Sequence, residues 1–130
     1  MMNTEYDNIE LTLPFKAEYV SVARLVSSSI ASRIGFDIDT IEDIKVAIAE
    51  VCNKFVQVGS QAVENYKIVF EVSSDKFRVL FYCDDSSLGC IFGDGNEELG
   101  VSIMSALMDD VDFCTNNEYL LSMSKVLREN

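Results

Sequence analysis

The sequence has no histidine, and its four cysteines, Cys52, Cys83, Cys90 and Cys114, include no C-x-x-C pair. Zinc is held by thiolates and imidazoles at short fixed spacings, so this pattern argues against a metal site of that kind. The cysteines read as reduced core or surface thiols. Long apolar runs are also missing: no segment supplies the roughly twenty apolar residues that cross a bilayer. The N-terminal stretch Met1-Met2-Asn3-Thr4-Glu5-Tyr6-Asp7 has neither the basic nor the apolar region of a signal peptide. The expectation is a soluble, cytoplasmic protein with no membrane contact. Cations are scarce, 10 Lys and Arg against 22 Asp and Glu, for a formal net charge of −12. Binding to phosphate backbones draws on clustered Lys and Arg, so direct contact with nucleic acid is not expected and partners should be proteins. Acidity also serves solubility alone, which is an equally open reading.

What is present suffices for one core. At 130 residues and 48% hydrophobic, the chain fits a single domain over 1–130, without internal repeat, linker or low-complexity segment. Ile9, Leu11 and Leu13 alternate with Glu10 and Thr12, the period of a half-buried strand ended by Pro14. Tyr19, Val22, Ala23, Val26, Ile30 and Ile34 recur at threes and fours and predict a helix that stops at Gly35. A second helix is announced by two capping boxes, Asp39-x-x-Glu42 and Thr40-x-x-Asp43, followed by an apolar stripe of Ile41, Ile44, Ile48, Val51, Phe55 and Val58.

Ile68–Val72 and Phe77–Cys83 then form a hairpin across Ser73-Ser74-Asp75. Asp84 to Asn96 reads as a loop. A short helix is expected from about Glu97, burying Leu99, Ile103, Ala106 and Leu107. A last hairpin pairs Val111–Cys114 with Tyr119–Lys125 around Asn116-Asn117. This order predicts an α+β fold: a two-layer α/β sandwich, its mixed or antiparallel sheet carrying the helices on one face.

The segments Pro14–Val20, Val22-Ala23-Arg24-Leu25, Ala31–Gly35, Ile41–Glu50, Leu107–Val111 and Ser122–Lys125 resemble the anti-sigma-factor serine-protein kinases of bacterial partner-switching systems, members of the GHKL, or histidine-kinase-like, ATPase superfamily. The resemblance runs from about Ile9 to Leu127. It implies the GHKL sandwich, ATP and magnesium as cofactors, and a site on the second helix. There the family has a glutamate that orients the attacking serine and, one turn on, an asparagine that binds the metal.

Glu50 matches the first position, as the catalytic base. Lys54 fills the second, and Asn53 lies one residue early, about 100° around the helix. A plain i,i+4 ion pair between Glu50 and Lys54 is the simpler reading of those two residues. If Lys54 does face the metal position, two unit charges at ~4 Å and an effective dielectric of ~20 repel by about 4 kcal/mol, and a divalent ion doubles that. Lys54 touching a phosphate directly is a further alternative. The motif that recognises adenine is matched by Asp84, with Ser86 in place of its glycine. Asp84 as an ordinary turn former stays open beside it. The Gly-x-Gly that bares amides to phosphate reads Glu98-Leu99-Gly100, so cofactor contacts are expected from Leu99 and Gly100.

The segment from Ser86 to Glu97 is short for a nucleotide lid, and Gly93-Asp94-Gly95 within it reads as a turn. The resemblance therefore implies a homodimeric anti-sigma-factor-like regulator with impaired ATP binding and kinase activity. Its partner would be a sigma factor or a STAS-class anti-anti-sigma protein, contacted through Arg24. Two alternatives stand beside it: an active serine-protein kinase that phosphorylates an anti-anti-sigma factor, and a small-molecule sensor using the same pocket.

Overall fold

The computed structural model describes residues 6–85, 88, 99–113 and 120–128. Strand β1 (Asp7–Pro14) leads through a single 3-10 turn (Ala17–Tyr19) into helix α1 (Val20–Ile34), and helix α2 (Ile38–Val58) follows. Strands β2 (Asn65–Val72) and β3 (Lys76–Tyr82), helix α3 (Leu99–Leu107), and strands β4 (Asp110–Phe113) and β5 (Leu121–Val126) complete the order. The five strands lie as β1-β2-β3-β5-β4, and all four pairings are antiparallel. The result is the α+β sandwich expected, with the antiparallel form of its sheet.

Register decides which face is inside. Ile68 pairs with Phe81 and Phe70 with Val79, while Val79 pairs with Met123 and Phe81 with Leu121, so these side chains share one face. All are buried in the same cluster as Ile30, Ile44, Ile48, Val51, Phe55 and Met104 of the helices. Phe55 of α2 stacks on Tyr66 of β2 with ring centroids 4.6 Å apart and planes 6° from parallel. Such a pair adds ~1 kcal/mol to the area it buries and fixes α2 over the sheet. The opposite face carries Lys67, 3.9 Å from Glu10 and above the Tyr82 ring, and Arg78, 3.3 Å from Glu71. Those groups keep that face polar around the buried Leu80, Ser122 and Ser124.

Several boundaries differ from the sequence reading. The cap of α2 is Asp37, whose side chain accepts from the Thr40 amide at 2.8 Å, so the helix starts ahead of both expected boxes. Asp37 is extended, with φ −76° and ψ 172°, the conformation an N-cap requires. Its carboxyl is held below the usual range by those Thr40 contacts. Tyr19 belongs to the 3-10 turn and stays exposed, while Val20 takes the buried position that opens α1. Val58 is exposed because α2 ends one residue on at Gly59, and Ala47 and Cys52 complete the buried stripe. Helix α1 stops at Gly35 as expected, with φ 114°, a left-handed conformation that glycine adopts without a Cβ penalty.

Helix α3 differs most. Val101, Met104 and Met108 are buried, Ile103 and Leu107 are half-buried and Ala106 is exposed. Apolar residues occur all round Leu99–Met108, so periodicity alone cannot choose a face; packing against α2 does. The expected start at Glu97 and the turn at Asn116-Asn117 lie outside the described residues.

Candidate functional site

Helix α2 is a long lever with one side on the core and its neighbours placed by that packing. Ile48, Val51, Cys52 and Phe55 are fully buried, and Glu50, between them on the lateral side, is half-buried. Its carboxylate lies against the first turn of α3: a Cβ built on Gly100 would stand 2.9 Å from Glu50 Oε1. The structure thus brings together Glu50 and Gly100, two site residues 50 positions apart in the sequence. Lys54 is half-buried one turn along α2, and Asn53 beside it is exposed. Ion pairs among the described residues include Lys45–Glu42, Lys67–Glu10, Arg78–Glu71 and Arg128–Asp109.

Lys54, at the position where the resemblance implies a metal ligand, does not fit a magnesium ion. An ammonium has three donors and no lone pair, so Lys54 cannot ligate a cation and adds like charge beside any that approached.

The two aspartates at the end of β3 have opposite environments. Asp84 is exposed and lines a groove of about 350 Å³ with Thr12, Lys67 and Tyr82, the latter two on the sheet face away from the helices. Asp85 is buried, 8% exposed, and accepts from Ser60 Oγ at 2.6 Å. It lines an open pocket of about 440 Å³ with Val58, Gln61 and Leu88, where the end of α2 meets the segment after β3. Sequence reading missed Asp85 and Ser60. Strand alternation carried a signal for the first: Phe77, Val79 and Phe81 point inward, so continuing the count turns residue 84 out and residue 85 in.

Ser86 and Glu98 lie outside the described residues, as do Cys90 and Cys114. Leu99 opens α3, and Arg24 is exposed on α1. Cys52 is a core thiol; burial pushes it up to about 11, with the Tyr66 hydroxyl alongside but outside hydrogen-bond geometry.

Helices on one face of an antiparallel sheet are the arrangement the resemblance implied. Comparison with known families places residues 13–125 in the histidine kinase-like ATPase domain. The chain belongs to the histidine kinase-like ATPase family. Among curated proteins it is 32% identical to serine-protein kinase RsbW of Bacillus cereus, over 98% of this chain and 89% of that protein. It is also 32% identical to the protein of the same name from Halalkalibacterium halodurans, covering 95% and 86% of the two chains. The Bacillus velezensis protein of that name is 30% identical over 97% of this chain and 89% of its own. The family assignment made from the motifs therefore holds for nearly the whole length.

Proposed function

We propose that this histidine kinase-like ATPase family member is an anti-sigma-factor-like regulator of a bacterial partner-switching system, with metal-dependent ATP binding and phosphoryl transfer impaired. The observation that carries this reading is Lys54: a cation one turn from Glu50, on the helix that would supply the metal ligand. The full-length similarity to proteins named serine-protein kinase RsbW supports the regulatory class. A sigma factor or a STAS-class anti-anti-sigma protein is the partner this reading assigns, contacted through Arg24 on the outer side of α1, by a homodimer in the cytoplasm. No helix among the described residues is long and apolar enough to cross a membrane.

In the site itself, Asp85 is the better candidate than Asp84 for a carboxylate that receives a purine amino group, because it is buried, oriented by Ser60 and lines a pocket at the end of α2. A second reading, an active serine-protein kinase, is favoured by one observation. The Glu50 carboxylate remains and stands at the first turn of α3, where a base and phosphate-facing amides would meet.

Co-purification from the source organism, with and without ATP and magnesium, separates the two readings. The regulator should retain its protein partner regardless of nucleotide, with no new phosphoserine on that partner by mass spectrometry. Partner release accompanied by phosphoserine would establish the kinase.

A further inference from the structure

Gly100 is the one glycine of α3, and its backbone does not call for glycine. The positive φ values among the described glycines are at Gly35 and Gly59. A glycine within a helix costs stability relative to alanine, so its presence at position 100 needs another cause. The space a side chain would enter is already taken: the first atom of it would stand 2.9 Å from Glu50 Oε1, closer than side-chain carbons approach an oxygen. Helix α3 cannot retreat to make room, because Val101 and Met104 on its first turns are 4% and 1% exposed in the core. The far end of Glu50 can move, since three torsions separate its carboxylate from the backbone.

We propose that Gly100 is a positioning residue for Glu50. Its missing side chain leaves a notch in the first turn of α3 that receives the carboxylate, and any larger residue drives that carboxylate out while leaving both helices in place. The functional weight of the contact rests on reading Glu50 as the carboxylate of the site; the contact itself does not. The resemblance gave Gly100 a different task, opening the α3 amides to phosphate, and that task would make its substitution indifferent to residue 50.

The test is a cycle on the full chain without nucleotide: Gly100→Ala in the Glu50, Glu50→Asp and Glu50→Ala backgrounds, read by thermal melts and by nuclear Overhauser contacts. Contacts between the Glu50 γ protons and the residue-100 α protons are expected in the starting protein and lost in Gly100→Ala. With Glu50→Ala, Gly100→Ala should raise the Tm by about 2–4 °C, as alanine outperforms glycine in a helix once the notch is empty. With Glu50 present the gain should be smaller by at least half, because the carboxylate must be displaced. Glu50→Asp, shorter by one methylene, should restore most of the gain. An equal Tm change in all three backgrounds, or Glu50–residue 100 contacts that persist in Gly100→Ala, overturns the proposal. Neither readout involves ATP or a partner, so failure of the proposed function leaves this test standing.

Discussion

Ser60 Oγ donates to Asp85 Oδ2 at 2.6 Å, while the same oxygen accepts from the amides of Ala62 and Val63 at 3.1 Å each. One hydroxyl therefore ties the loop after α2 to the segment beyond β3, and donates to a buried carboxylate as it does so. Ser60→Ala removes the donor to that oxygen and the acceptor of two amides. The expected cost is roughly 1–3 kcal/mol, read as a lower denaturant midpoint at unchanged slope. Ser60→Thr, which keeps the hydroxyl, should cost less than half as much. An unchanged midpoint in Ser60→Ala would remove Ser60 as the anchor of this pocket.

Asp109 performs a similar task at the other end of the sheet. Its carboxylate accepts from the Val126 amide at 2.7 Å and from Arg128 at 3.2 Å, pinning the end of β5 beside the end of α3. Burial alone would raise its pKa, but the Val126 and Arg128 hydrogen bonds and the charges of Lys125 and Arg128 outweigh that, so it lies below the ordinary 3.8. A depressed folded value means stability present above about pH 3.8 and lost as pH falls through the folded pKa. Asp109→Ala should cost about 1–3 kcal/mol at neutral pH and flatten the acid limb of a stability–pH curve. An acid limb identical to that of the parent would show that Asp109 does not contribute to it.

Cys52 gives the opposite sign at high pH. Burial holds the folded thiol near 11 against an ordinary 9.0, so the unfolded chain ionises first. Stability should be complete below about pH 9 and fall by ~1.4 kcal/mol per pH unit between about 9 and 11. Tyr66, also pushed up chiefly by burial, adds to the loss above its ordinary 10.0. Cys52→Ala should move the onset of alkaline destabilisation up by about one unit. Native Cys52 should also resist a thiol reagent at pH 8 on the timescale of folding, and rapid labelling in the folded state would contradict this burial.

Arg24 is exposed on α1 next to Leu25, which is 66% exposed. A guanidinium that becomes partly buried against a partner carboxylate contributes ~2 kcal/mol or more. Arg24→Ala is expected to weaken capture of the protein partner at least tenfold while leaving the melt unchanged. Capture indifferent to residue 24 would move the interface elsewhere.

How much was legible follows from the kind of signal. The strands and α2 could be read because register and a continuous apolar stripe each leave a period in the sequence: Ile44, Ile48, Val51 and Phe55 are all fully buried. The face of α3 could not, because Val101, Ile103, Met104, Leu107 and Met108 are all apolar and only contact with α2 selects among them. The α2 cap is Asp37 and neither Asp39 nor Thr40, because several capping residues compete locally and the extended backbone at 37 settles which one caps. In the candidate site, the motifs named Glu50 and Gly100 separately, whereas the contact between them is a tertiary relation with no local trace. Asp84 and Asp85 are chemically identical in sequence, and one step of strand alternation separates the exposed residue from the buried one.

Metal-dependent nucleotide binding is proposed to be impaired at this site, and a thermal melt with ATP and magnesium tests that most directly. Ligand at about a hundred times its dissociation constant stabilises a binding-competent protein by ~2.7 kcal/mol, a shift of roughly 8 °C for a domain of this size. The account predicts no shift at millimolar ATP and magnesium, for the parent and for Lys54→Asn alike. A rise of several degrees in the parent protein would contradict it and establish a working nucleotide site.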